Sequence, residues 1–417
     1  MVAFVLLTGA LGIWADFLSV QSKLHCSLQG EMEIPGAYRV AVANVAVRRE
    51  DRTLSDDQEK VAERVNGLLF EQVSAAYRDQ GPNVGVGRLC DQAVQEHDGE
   101  RERATYLAEV KETLEADVVV SATLIPESQR FTVKIELSIS SPGTWNEAAE
   151  LAADPVFDEG SIGTALEVQN KADASVAEML APYLNLLRAI AFYANQNWNA
   201  VTESLSTALA DSQAPDNLKT LAHVLTGNAL GRLDRQADAE ASYNAALKIN
   251  EDYVRAILGL AEIDYQRAIA LNGTCSSTSS PESSSYLDAA EAKYRKVLTM
   301  VQRGGLYDAD ARAKYGTGRI HTCKLMLGDG READPAIRDL QYVTRSYEAN
   351  KRKTWIRSVA AGAYGELGLV RCWQGRSDVA LVDYEKAEEL AVDDKRAETY
   401  KRAIQRINDS PKVCPGR

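Results

Sequence analysis

Apolar positions change their period near residue 145, and the two parts of the chain predict different structures. From Tyr38 through Arg39-Val40-Ala41-Val42-Ala43-Asn44-Val45-Ala46 to Val47 the pattern alternates, which predicts a strand. Ser55-Asp56-Asp57-Gln58 supplies a capping serine and early acids for a helix reaching about Arg78, with Val61, Val65, Leu68, Leu69, Gln72 and Val73 on its apolar side. A short β segment at 84–89, a charged helix from about Arg101 to Glu115, and β runs at 117–124 and 130–139 follow, the last two joined by a turn at Pro126-Glu127-Ser128-Gln129. This order over residues 36–145 predicts a small α/β domain whose sheet is covered by two helices. Residues 146–173 read as a linker, residues 174–409 as helical repeats closed by a charged, solvating cap helix from Asp393 to about Ile407, and residues 410–417 as a tail.

In the repeat segment a small residue is followed 12 positions later by a helix-face residue, 16 later by a large apolar one, and 19 later by alanine. The quartets are Ala189, Val201, Leu205, Ala208; Gly227, Ala239, Tyr243, Ala246; and Gly368, Ala380, Tyr384, Ala387. Small residues at these positions let two helices approach closely, while the large side chain fills the space beside them. Two less regular units lie between. One joins Leu258, Gly259 and Glu262 to Ala290, Tyr294, Val297 and Leu298; the other joins Gly316, Gly318 and Ile320 to the stretch 336–347. Five hairpins are therefore expected.

This pattern resembles the tetratricopeptide repeat, a helix-turn-helix unit of about 34 residues. The last hairpin carries nearly the whole signature: Tyr364, Leu367 and Gly368, a turn at Gly375, then Ala380, Tyr384 and Ala387. The resemblance implies an α-solenoid whose first helices line a concave groove for a partner protein or peptide. Carried over to this sequence, the groove positions are Tyr183, Leu186, Ile190 and Tyr193, then Val224, Asn228 and Arg232, then Leu369, Cys372 and Trp373. The apolar ones serve equally well as core between repeats. Tyr193, Asn228, Arg232, Leu369 and Trp373 are the candidate partner-binding residues. The carboxylate clamp of some family members is not expected, because Leu186 and Ile190 stand where it needs lysine and asparagine. Residues 36–145 resemble, in element order and in Ala116-Asp117 opening a later strand, the N-terminal α/β domain of TolB-like proteins. That likeness brings no catalytic residues.

Composition narrows the functional classes. A formal charge of −13 argues against nucleic acid, which needs a clustered basic surface. The dense basic patch Lys351-Arg352-Lys353 with Arg357 reads as a solvated turn between helices. Neither Gly81-Pro82-Asn83-Val84-Gly85-Val86-Gly87 nor Glu96-His97-Asp98-Gly99-Glu100 has the spacing of a phosphate loop or a metal site, and both read as turns. His223 and His321 fall in repeat helices. No catalytic motif, cofactor or metal is expected. The six cysteines are too dispersed for a disulfide framework: Cys323 and Cys372 read as buried apolar residues, and Cys275 as a loop thiol. The serine-rich stretch 272–285 reads as an exposed insertion, with Asn272 and Asn408 in glycosylation sequons.

Residues 2–20 are apolar apart from Asp16 and a few polar or small positions, and segment 1–22 reads as a membrane anchor, with a signal peptide or an amphipathic helix as alternatives. Lys23 and Arg39 after it place the bulk on the cytoplasmic side, the alternative being a secreted or periplasmic location. The expectation is a non-enzymatic adaptor, membrane-tethered, that binds a partner in the repeat groove. The alternatives are a sensor whose α/β domain takes a small ligand and, more weakly, an enzyme with its site in residues 36–145. Oligomeric state is not legible.

Overall fold

The structure, a computed structural model, describes most of residues 38–139, 156–162 and 181–410, with short gaps. Segment 1–22, with its expected anchor, lies outside the described residues, as do residues 98–100 and most of the expected helix from Arg101 to Glu115. The chain forms two compact units that divide at Leu184/Asn185.

In the first unit a seven-stranded mixed sheet carries β1 (Tyr38–Val42), β2 (Val45–Arg48), β3 (Val84–Arg88), β4 (Val94–His97), β5 (Val118–Pro126), β6 (Phe131–Ile139) and β7 (Val156–Ile162). β1 and β2 run along the same side of β5, both parallel to it, while β6 pairs antiparallel on its other side. Between the Val42–Val120 pair and the Ala46–Thr123 pair, β1 and β2 advance one residue more than β5 does. The run that reads as one strand is thus two, divided by a bulge. Ala41, Ala43 and Val119 pack with Leu107, Val110 and Leu114. Val40, Val42, Val118 and Val120 alternate with them and point to the opposite face, and helix α1 (Asp56–Tyr77) packs against the same sheet. Both faces are dry, so the central strands carry almost no polar side chain. Ser121 within β5 is one buried polar side chain; Asp117, just before that strand, is another, and it accepts the Arg39 N–H at 2.5 Å, yet burial outweighs that bond and pushes its carboxyl up to about 6.

Two elements depart from expectation here. β7, read as linker, pairs along its length with β6. Its acids and glycine gave no alternation, and the edge of β6 supplies the order instead. Glu96 and His97, read as part of a charged turn, belong to β4, which pairs parallel with β2.

The second unit holds the five expected hairpins. They are α2 (183–193) with α3 (Trp198–Ala210), α4 (Asp216–Arg232) with α5 (Gln236–Ile249), α6 (Val254–Asn272) with α7 (Pro281–Gly304), α8 (Tyr307–Met326) with α9 (Ala333–Ala349), and α10 (Thr354–Trp373) with α11 (Ser377–Leu390). Helix α12 (Asp394–Asp409) follows. Four hairpin turns share one backbone device. The N–H groups of Asn197, Arg235, Asp329 and Arg376 reach back to the carbonyls of Phe192, Leu230, Lys324 and Arg371, and the residue before each has positive φ. This closes the helix end by a Schellman motif. Glycine takes the left-handed position at Gly328 and Gly375, while Gln196 (φ 56) and Asp234 (φ 58) adopt it with a side chain.

Close approach is set by tyrosine rings lying on glycines. A Cβ on Gly227 would come within 2.6 Å of the Tyr243 ring, and one on Gly259, in the next hairpin, within 2.5 Å of Cε1 of the same ring. Tyr294 lies on Gly316 and Tyr384 on Gly368 in the same manner. The small and large positions of the sequence pattern are therefore two halves of one contact, within a hairpin or between neighbours.

Two further corrections concern the third hairpin. Stretch 272–285 is not loop throughout: α7 begins at Pro281, the Ser280 hydroxyl accepts the Ser283 N–H at 3.1 Å, and Ser283 is fully buried, donating to the Ala268 carbonyl at 3.0 Å. Serine at the N-cap and proline at N1 are a helix start whose composition resembles a loop. Cys275 and Cys323, read as separate thiols, form a disulfide with Cα atoms 5.0 Å apart, and Cys372 is disulfide-bonded as well. Forty-eight residues separate Cys275 from Cys323, so spacing alone could not reveal the bridge. No helix among the described residues is long and apolar enough to cross a membrane.

Candidate functional site

Helices α6, α8 and α10, the first helices of the last three hairpins, join α12 in lining a cleft of about 880 Å³. Tyr265 from α6, Tyr315 from α8, Tyr384 from α11 and Tyr400 from α12 supply its aromatic walls. Glycines on α10 make room for two of them. Tyr315 lies against Gly362, and a Cβ on Gly365 would come within 2.5 Å of Cε1 of Tyr400.

Arg319 is the centre of a polar cluster at this cleft. Its guanidinium carbon stands 4.2 Å from the Tyr265 ring centroid and 4.7 Å from that of Tyr315, so the planar group has aromatic rings as neighbours. Tyr315 and Arg319 are four apart on α8, while Glu262 and Tyr265 are three apart on α6, which puts each pair on one helix face. The fork of Arg319 meets Glu262: Nη1 donates to Oε1 at 3.3 Å and Nη2 to Oε2 at closer range. Glu262 also accepts from Gln266 at 2.7 Å and from the Tyr294 hydroxyl at 3.0 Å. Burial opposes its ionisation, but Arg319 and these donors prevail and hold its carboxyl down at about 2. Its side chain is still 42 % exposed, against 13 % for Arg319, so water screens one end of the pair.

Glu366, also in the cleft, has the opposite setting. Burial pushes its carboxyl up to about 7, against the weaker lowering influence of Arg319 and of the Thr322 hydroxyl. Burial likewise raises the hydroxyls of Tyr265, Tyr315 and Tyr384, so these walls stay neutral at physiological pH. The cleft thus combines apolar ring faces, hydroxyls and one acid that changes charge near neutrality.

Of the residues anticipated as groove contacts, Leu369 lines this cleft and packs beside Tyr384. Tyr193 does not: it is 1 % exposed, its ring edge-on to Trp198 with centroids 5.0 Å apart. Arg232 stands 5.8 Å over the Trp198 ring, near the first two hairpins. Asn228 accepts the Tyr243 hydroxyl at 2.6 Å, a contact inside its own hairpin. Trp373 packs on the cluster containing Leu325, Leu340 and Val370. Tyr183, Leu186, Ile190, Val224 and Cys372 are buried core. Helix α12, expected as a solvating cap, also presents Thr399, Tyr400 and Ala403 to the cleft. Repeat spacing marks neither Arg319, which sits in an irregular hairpin, nor Glu366, which stands beside the signature pair Leu367-Gly368 without belonging to it. The i,i+4 Tyr315/Arg319 pair and the glycines at 362, 365 and 368 were the available signals.

Among the described residues no group of three or more metal-ligating side chains comes together. No family model matches the chain, and no curated protein matches it. Solved structures similar to it include a tetratricopeptide repeat protein from Parabacteroides merdae, 15 % identical over 58 % of this chain and 94 % of the other, with a TM-score of 0.32. Another is the P58(IPK) TPR domain, 14 % identical over 85 % of this chain and 80 % of the other, with a TM-score of 0.28. Both of these structures are tetratricopeptide-repeat proteins, and neither is a TolB-like protein.

Proposed function

We propose that this chain is a protein-interaction scaffold that takes a segment of a partner protein into the cleft between α6, α8, α10 and α12. The observation that carries the reading is the cleft itself: about 880 Å³, tyrosine-walled and lined mainly by first helices. Rings with a polar tip contribute contact area at low entropic cost and are enriched among residues that dominate binding. The test is affinity purification with the full chain beside Tyr400→Ala and Met326→Glu variants, all checked for folding by circular dichroism. A partner retained by the wild type and lost from both variants supports the cleft; partners retained by both variants overturn it.

We also propose that the helical unit works in an oxidising compartment. The Cys275–Cys323 bridge supports this location over the cytoplasmic one expected from the charges near the N-terminus. A tether through residues 2–20 is a separate proposal, resting on their apolar sequence alone.

A further inference from the structure

Glu366 carries the reading just given one step further, from a cleft for a partner segment to the side chain that the segment must bring. Glu366 lies in the cleft near Thr322, whose hydroxyl is given to the Gly318 carbonyl at 2.9 Å. The cation acting on it, Arg319, is already committed, its fork on Glu262 and its guanidinium beside Tyr265 and Tyr315. No ion pair joins Glu366 to a cation among the described residues. A carboxylate lacking a partner of its own, set among ring faces that attract positive charge, is complementary to a cation. Tyr265 of α6, Tyr315 of α8 and Tyr384 of α11 are neutral near pH 7 and leave that charge unanswered. Arg402 and Arg406, on α12, also line the cleft. They favour acidic residues flanking the cation and disfavour a uniformly basic segment.

We propose that the cleft selects a partner segment presenting a lysine or arginine whose side chain enters among the tyrosines and pairs with Glu366. The occupant is a polypeptide segment, since the cleft is several times larger than one basic side chain and runs from Gln236 on α5 to Arg406 on α12. This inference rests on the cleft being the binding site.

The test uses random dodecapeptides displayed on phage, selected on the full chain at pH 8, with affinities of the synthetic winners measured by isothermal titration calorimetry. Peptides that use the cleft are those weakened by Tyr400→Ala. The expected result is that these share a lysine or arginine, and that Glu366→Gln, a neutral isostere, weakens them about tenfold or more. Lowering the pH from 8 to 6 weakens them about tenfold on wild type, because Glu366 takes up its proton across that range, and leaves Glu366→Gln binding unchanged. Cleft-dependent peptides that lack a basic residue, or that bind Glu366→Gln and wild type alike, overturn this inference and leave the scaffold reading standing. Peptides none of which respond to Tyr400→Ala overturn both. Self-association of the chain in sedimentation that Glu366→Gln abolishes and no selected peptide competes away assigns the cleft to a second copy, which overturns the partner segment.

Discussion

The guanidinium carbon of Arg319 lies 4.2 Å from the ring centroid of Tyr265, and the same guanidinium holds Glu262 in a two-point contact. One residue therefore joins α6 to α8 through a ring face and a carboxylate at once, and orders a wall of the cleft.

Arg319→Met is expected to lower stability by about 1–3 kcal/mol, less than a fully buried pair would lose because Glu262 is partly solvated. Arg319→Lys keeps the charge but loses the planar fork, and is expected to recover only part of it. Adding Glu262→Gln to Arg319→Met should cost little more, since the pair is already broken. Urea titration of the wild type, Arg319→Met, Glu262→Gln and the double variant reads the coupling; strictly additive losses would show that the two residues act independently.

Glycines at two positions on neighbouring helices are expected to behave oppositely when changed to alanine. At Gly259 a Cβ meets the buried Tyr243 ring, so Gly259→Ala should destabilise by about 1–3 kcal/mol despite alanine's helix propensity. At Gly231 a Cβ meets nothing within 4 Å, so Gly231→Ala should stabilise by about 0.5–1 kcal/mol. Equal shifts in the two denaturation midpoints would mean that propensity alone governs both sites.

The Cys275–Cys323 bridge ties the α6–α7 connection to α8 across a separation of 48 residues. Replacing both cysteines with alanine is expected to cost up to about 4 kcal/mol in the chain-entropy treatment. For a unit of this size that lowers Tm by about 10 °C, and dithiothreitol should lower the wild type by more than the double variant, which keeps the bridge at Cys372. An unchanged midpoint after reduction would deny the bridge a stabilising role.

Glu366 makes stability depend on pH in the direction opposite to a salt-bridged acid. Burial raises its carboxyl from 4.5 to about 7 in the folded chain, so the folded state keeps a proton that the unfolded chain releases. The contribution is whole below pH 4.5 and is lost as pH rises through 7, amounting to roughly 3 kcal/mol. Glu366→Gln is expected to gain on wild type across that window. Asp117, raised to about 6 in the other unit, acts in the same direction but cancels between the two proteins. A difference between wild type and variant that stays constant from pH 4.5 to 7.5 would count against the buried acid.

Hairpin number, the three regular repeats, the helix over 56–77, the β runs near 84–88, 118–126 and 131–139, and the turn at Gly375 were legible from the chain alone, because each depends on residues near one another in sequence. Period 3.6 marks a buried helix face, alternation marks a strand, and glycine marks a left-handed turn. Val201, Leu205 and Ala208 are buried as that logic requires. The same local signals also decided that small and large residues meet inside a hairpin, as Gly227 and Tyr243 do.

Long-range pairing settled the rest. β7 has no strand pattern of its own and is ordered by the edge of β6; Cys275 finds Cys323 only because α6 and α8 stack; and Ser283 is buried by α6 rather than exposed in a loop. The binding surface shifted for the same reason. Tyr193 occupies a groove position by repeat register yet is buried in the first hairpins, whereas Arg319, Glu366 and Tyr400 converge from three helices in the last ones. Register along a helix says which face a residue occupies. What that face meets, whether a neighbouring helix or an open cleft, depends on how the helices stack, and that geometry is a property of the folded chain.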